Sequence, residues 1–182
     1  MSGEIRRVKR ELAYHGTVID VYKDYMEFEN GGTEEWDYIH HNGAAAVVPV
    51  LDDGRLLMVT QYRNALDRLT LEIPAGKLDY PEEPGIACAK RELEEETGYR
   101  SEQLEWLLTL RTTVALCNER IEIFVARNLI PSKQKLDEGE YVTVKAYTVE
   151  ELKQKIYTGE IEDSKTVSAI LAYADKFFTF GA

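Results

Sequence analysis

The stretch GKLDYPEEPGIACAKRELEEETGY, from Gly76 to Tyr99, packs Glu92, Glu94, Glu95 and Glu96 into five consecutive positions. It also specifies its own local structure. Pro84 suits the first turn of a helix, where its missing N–H is harmless. Gly98 is placed to end that helix in a left-handed cap. Between them Ile86, Ala89, Leu93 and Thr97 recur at helical spacing, which predicts a helix over about 84–97 with those side chains toward the core. On such a helix Glu92 neighbours Glu96 at spacing four and Glu95 at spacing three, so three carboxylates converge on one stripe. Like charges so placed weaken a helix unless a cation offsets them. All-oxygen donor sets of this kind suit hard divalent ions, Mg²⁺ or Mn²⁺ above all. The bland alternative is a solvated acidic face. Arg91 inside the cluster and the Pro74-Ala75-Gly76 loop before it weigh against that alternative.

Around this helix the chain reads as strands and two more helices. Residues 17–25 and 34–39 alternate polar and apolar side chains about an Asn30-Gly31-Gly32 turn, as an antiparallel unit does. Residues 44–50 form an apolar run suited to a strand buried on both faces. Asp52-Asp53-Gly54 turns that run into residues 55–62, and the two segments are expected to pair as a hairpin. Residues 69–73, 104–112, 120–126 and 141–147 read as further strands, and 149–157 and 163–178 as helices. The pattern predicts an α/β (α+β) fold, a mixed sheet sandwiched between helices with an N-terminal antiparallel β arm. Long βαβ alternation is missing, which argues against a doubly wound sheet. Residues 1–42 are expected to form the arm and 43–182 the main domain.

Charge narrows the partners. With 33 acidic against 22 basic residues the net charge is −11, which argues against a nucleic-acid backbone or an anionic membrane. An anionic small ligand stays possible, because a bound divalent ion reverses the local field. Cys88 and Cys117 lack metal-like or framework spacing, and no segment resembles a signal peptide, so a reduced, cytoplasmic setting is expected. His15, His40 and His41 are not expected to be ligands.

The stretch resembles the Nudix box, G-x5-E-x7-R-E-U-x-E-E-x-G-U with U apolar. Gly76 matches the first glycine and residues 91–99 match the second half, Tyr99 replacing the final aliphatic. Counting forward from Gly76 puts the box glutamate at Glu82, whereas counting back from Arg91 puts it at Glu83. The helix fixes the register behind Glu83, so the extra residue is assigned to the loop before it. The resemblance implies the Nudix hydrolase fold, metal ligation by Glu92, Glu95 and Glu96 with the main-chain carbonyl of Ala75, and orientation of that set by Arg91. Glu94 falls on a variable position and is expected in solvent.

Gln61-Tyr62-Arg63 and Leu71-Glu72-Ile73-Pro74-Ala75-Gly76-Lys77 resemble the corresponding segments of ADP-ribose pyrophosphatases and related nucleoside-diphosphate-sugar hydrolases. By that resemblance Arg63 binds a phosphate, and Glu72 contacts substrate or a metal-bound water. The loop 113–119 keeps an acidic end in Glu119, either a general base, a further metal ligand, or an ordinary loop carboxylate. It lacks the Ser-Pro-Gly start of that subgroup. Trp36 on the arm either stacks on an adenine or packs against its hairpin. The resemblance further implies a homodimer through the arm, and Mg²⁺-dependent hydrolysis of a nucleoside diphosphate sugar, ADP-ribose to AMP and ribose 5-phosphate first. The alternatives are another sugar nucleotide such as GDP-mannose, or a catalytically silent Nudix domain that senses a ligand or binds a partner.

Overall fold

The computed structural model describes residues 4–136, 138–139 and 141–178. They divide into two compact units, Met1–Gly43 with Arg111–Arg120, and Ala44–Leu110 with Ile121–Ala182.

The first unit is an antiparallel sheet of β1 (Ile5–His15), β2 (Asp20–Phe28) and β3 (Thr33–His40), in that order. The β2–β3 turn closes as its sequence implies, with Gly31 at a φ of 81° that favours glycine. β1 was not expected. Its IRRVKRELAYH sequence has no clean alternation, and nearly all of it is exposed. Cross-strand charge pairing supplies what hydrophobic patterning does not. Arg10 makes two 2.6 Å bonds to Asp24, and Tyr25 donates to Glu11 at 2.7 Å. The 111–120 segment is stitched onto β3. Ile39 donates to the Leu116 carbonyl at 2.7 Å, and Asn118 returns a bond to the Ile39 carbonyl at 3.2 Å.

In the second unit β4 (Ala44–Pro49), β7 (Ala75–Lys77), β9 (Gln103–Arg111) and β10 (Arg120–Arg127) form a four-stranded sheet, ordered β7-β4-β10-β9. β4 and β10 run parallel. A second, antiparallel sheet holds β5 (Leu56–Arg63), β6 (Arg68–Glu72) and β12 (Val142–Tyr147), ordered β12-β5-β6. A short pair joins β8 (Tyr99–Arg100) to β11 (Ile130–Pro131). The helices are α1 (Gly85–Thr97), α2 (Val149–Tyr157) and α3 (Ser164–Phe177).

The expected hairpin of residues 44–50 and 55–62 stops almost as it starts. The turn is present, with Leu51 donating to the Arg55 carbonyl at 2.9 Å and Gly54 at a φ of 84°. Beyond it, the described residues show one bridge, Val50 to Leu56, and the strands then diverge into different sheets. The reason lies in β4, whose two faces are both apolar and both need cover. Ala46 and Val48 join Ile123 and Val125 of β10, Leu56 and Met58 of β5, and Ile170 and Tyr173 of α3. Ala45 and Val47 pack on the opposite side with Phe124 and with Cys88, Ala89 and Leu93 of α1. The sheet is thus sandwiched, with α1 on one face and α3 on the other.

The core face of α1 also needs a correction. Ile86 is 42% exposed. The buried stripe is Gly85, Cys88, Ala89, Glu92, Leu93, Glu96 and Thr97, so two of the clustered carboxylates share the inward side. A side chain at residue 85 would place its Cβ 2.1 Å from a Glu122 carboxylate oxygen, which explains a glycine at the helix start. Pro84 is the N-cap, one position ahead of its expected place, and Gly98 closes the helix at a φ of 70°.

Candidate active site

The loop after β6 is fixed from several sides. Ile73 donates its N–H to Thr166 Oγ1 at 3.0 Å, and the Pro74 carbonyl accepts from Val47 at 2.9 Å. β7 then pairs with β4, Ala75 opposite Ala46 and Gly76 opposite Ala45. The last turns of α1 lie against this strand. Glu96 Oε2 accepts the Ala75 N–H at 2.9 Å. A Cβ on Gly76 would lie 2.0 Å from Glu92 Oε1, so any side chain there would have to push that carboxylate aside.

Arg91 is the hub of the cluster. Its Nη1 donates to Glu92 at 2.5 Å and to Glu95 at 3.3 Å. Its Nη2 donates to Glu83 at 3.4 Å and to the Lys77 carbonyl at 3.2 Å. Its Nε lies 3.3 Å from Asp79, an ion pair that makes no hydrogen bond. Burial works against the Arg91 charge, but Glu92 beside it outweighs that and raises the pKa. Glu83 Oε2 also accepts the Asp79 N–H at 2.8 Å, and Glu83 itself donates back to the Tyr80 carbonyl at 3.0 Å. The backward count therefore lands on the glutamate that Arg91 touches, which closes a turn back to Tyr80. Glu94 departs from expectation. It is half-buried and accepts a bond from the Ser132 hydroxyl.

A divalent ion fits the chemistry of this donor set. Glu92 and Glu96 are 9% and 3% exposed, so their charges are screened little by water. One guanidinium serves four carboxylates, which leaves an excess of hard oxygen donors. Among the described residues no three such groups already stand together as ligands. Arg91 and the Ala75 N–H engage oxygens of Glu92, Glu95 and Glu96, and an ion would compete for them. Cys88, buried beneath the cluster, is a core thiol. Burial pushes its pKa up to about 12 against the opposing charge of Arg91.

A second charged cluster lies behind β6. Glu72 is 2% exposed and receives two bonds from Arg63, at 2.8 and 2.7 Å. Thr70 Oγ1 donates to the same carboxylate at 2.6 Å, and Lys165 Nζ also bonds it. Lys165 reaches Asp163 at 3.0 Å as well. Burial alone would raise the Glu72 pKa, but Arg63 and Lys165 reverse this and lower it to about 2. Arg63 and Glu72, expected to meet phosphate and substrate, are here partners of one another. Sequence reasoning assigned Lys165 no role. A usable signal existed, since a lysine in the first turn of α3 opposes the helix dipole and so demands a nearby anion.

Glu119 and Trp36 belong to the first unit. Glu119 accepts from Thr112 Oγ1 at 2.7 Å and lies 3.7 Å from His41 Nδ1. His41 Nδ1 in turn accepts the Gly43 N–H at 3.0 Å. Trp36, 42% exposed, donates to Glu34 at 2.9 Å and meets Phe28 edge-on at 6.2 Å.

With this geometry in place, comparison with known proteins decides the family. The NUDIX domain model matches residues 40–169. The chain belongs to the Nudix family. The methanol dehydrogenase activator of Bacillus methanolicus is 40% identical over 169 residues, covering 92% of this chain and 91% of the relative. The ADP-ribose pyrophosphatase of Bacillus subtilis strain 168 is 38% identical over the same shares of both chains. A crystal structure of an ADP compounds hydrolase superposes with a TM-score of 0.84 over 98% of this chain and 95% of that one. At 22% identity that likeness speaks to the Nudix fold alone. Within the Nudix fold the Arg91 cluster occupies the box, and the Glu72 cluster the segment just before it.

Proposed function

We propose that this Nudix protein is a Mg²⁺-dependent pyrophosphatase of nucleoside diphosphate sugars, acting first on ADP-ribose to give AMP and ribose 5-phosphate. The observation that carries this reading is the Arg91 hub, in which one guanidinium holds the box carboxylates, Glu92 lying directly against Gly76. The strong likeness to the Bacillus subtilis ADP-ribose pyrophosphatase supports the substrate class.

Glu92, Glu95 and Glu96, with the Ala75 carbonyl, would hold Mg²⁺, Mn²⁺ being a fit substitute. Such an ion, when bound, neutralises a diphosphate and acidifies a coordinated water. Arg91 aims the carboxylates through its bonds to Glu92 and Glu95. Arg63 takes a phosphate oxygen, with Glu72 controlling its orientation from behind. Glu119 serves as proton acceptor, and Trp36 offers its indole face to the adenine. The arm forms a homodimer contact, and the protein works in the cytoplasm. Among the described residues no helix is long and apolar enough to cross a membrane.

The loop 113–119 supports a second reading within the same chemistry. It lacks the Ser-Pro-Gly start of ADP-ribose enzymes, which favours another sugar nucleotide such as GDP-mannose. The Bacillus methanolicus relative, by its name, makes a partner-directed role the competing class. That role predicts a metal site the protein can lose without consequence, whereas this sequence keeps Arg91, Glu92, Glu95 and Glu96. Incubation with ADP-ribose and Mg²⁺, followed by product separation, should yield AMP and ribose 5-phosphate. GDP-mannose run in parallel ranks the substrates. Absence of ADP-ribose turnover removes that substrate, and full activity in Glu96→Gln removes the metal assignment.

A further inference from the structure

We propose that Lys165 is a positioning residue of the phosphate site, holding countercharge on Glu72 so that Arg63 can exchange that carboxylate for a phosphate oxygen. The inference rests on the assignment of Arg63 to substrate phosphate made above. It starts from a difficulty with that assignment. Both Arg63 bonds to Glu72 are short, and Glu72 is almost wholly buried. If Arg63 turned away alone, it would strand a carboxylate away from water, which is costly. An arginine so locked makes a poor phosphate ligand.

Lys165 removes the difficulty. Its Nζ bonds Glu72 Oε2, while Thr70 Oγ1 bonds Oε1 at 2.6 Å. With Arg63 withdrawn, each Glu72 oxygen therefore keeps a donor, and the Lys165 ammonium still faces the carboxylate. The two cations also differ in freedom. The Lys165 side chain is 10% exposed and tied to Asp163, whereas that of Arg63 is 39% exposed. Arg63 is the member able to reach a ligand, and Lys165 the one that stays. Glu96 of the box helix accepts the Ala75 N–H, three residues after the Glu72 that Arg63 bonds, so one short segment joins Arg63's partner to the box.

The test compares wild type with Lys165→Met and Lys165→Arg, each alone and combined with Glu72→Gln. The readouts are the KM and kcat for ADP-ribose at saturating Mg²⁺, and calorimetric binding of inorganic pyrophosphate. Lys165→Met should raise KM and weaken pyrophosphate by roughly 10-fold or more, the scale of one charge-assisted hydrogen bond, with kcat changed far less. Lys165→Arg should restore most of the loss. In the Glu72→Gln background, where the buried carboxylate facing Arg63 is gone, Lys165→Met should cost little. If Lys165→Met does not fold, Lys165→Gln carries the same prediction, since it keeps a donor and lacks the charge. An unchanged KM and pyrophosphate affinity, or an equal loss in the Glu72→Gln background, overturns the proposal. If wild type fails to turn over ADP-ribose, the functional reading falls and the pyrophosphate titrations still decide the role of Lys165. Absence of pyrophosphate binding to wild type overturns it.

Discussion

The Arg91 and Glu72 clusters are built from the same side-chain types and behave in opposite ways. Around Arg91 one guanidinium serves Asp79, Glu83, Glu92 and Glu95, and negative charge is in excess. Around Glu72 two carboxylates, Glu72 and Asp163, meet two cations, Arg63 and Lys165, and the charges balance. A balanced buried cluster is complete by itself and stabilises the fold. An unbalanced one is stable only because folding elsewhere holds it together, and it gains from an added cation. Charge balance, more than acidity, separates the scaffold cluster from the proposed metal site in this protein.

The largest expected effect tests the balanced side. Glu72 is lowered to about 2 from its ordinary 4.5. The folded protein therefore binds fewer protons than the unfolded chain between those values. The stabilisation is complete above pH 4.5 and drains away as pH falls toward 2, with a size on the order of 3 kcal/mol. Denaturant unfolding across that window should show the decline, and Glu72→Gln should start less stable and lose less on acidification. A variant that declines as steeply as wild type would locate the acid sensitivity elsewhere.

The next effect tests the unbalanced side. Mg²⁺ should raise the melting temperature, by about 2.7 kcal/mol in stability at a hundredfold excess over its dissociation constant. Glu96→Gln should abolish most of that response while leaving the metal-free protein as stable as wild type or more so, because one repelling charge is gone. Loss of stability without loss of the Mg²⁺ response would reverse the roles assigned to the two clusters.

How much of this was legible in the sequence follows from the reach of each interaction. The box helix is local. Glu92, Glu95 and Glu96 lie within one turn, Pro84 and Gly98 mark the ends, and counting back from Arg91 found Glu83. The Glu72 cluster joins residues 93 positions apart, and no local pattern connects Lys165 to Glu72. β1 escaped for the same reason, since its pairing rests on ion pairs such as Arg10 with Asp24 rather than on alternation. The false hairpin had the opposite cause. Its turn chemistry was right, but the two apolar faces of β4 drew it into the parallel pair with β10. Ile86 was assigned inward by periodicity alone, whereas the small and acidic residues Gly85, Cys88, Glu92 and Glu96 carry the contact face.

The smallest expected change in stability gives the sharpest view of the acidic cluster. Gly76→Ala places a methyl group 2.0 Å from the Glu92 carboxylate. The atom displaced is the end of a flexible side chain rather than backbone, and Gly76 has no positive φ to defend. The fold should therefore lose less than about 1 kcal/mol, at the low end for overpacking. The proposed metal site has less room to give. Glu92 must swing off the strand it touches and loosen its 2.5 Å bond to Arg91, so a bound ion would lose an aligned donor. The Mg²⁺ concentration giving half-maximal thermal stabilisation should rise roughly tenfold, the usual scale for a misaligned ligand. A large loss of stability with an unchanged Mg²⁺ midpoint would mean that Gly76 serves the fold and not the ion, and would take Glu92 out of the ligand set.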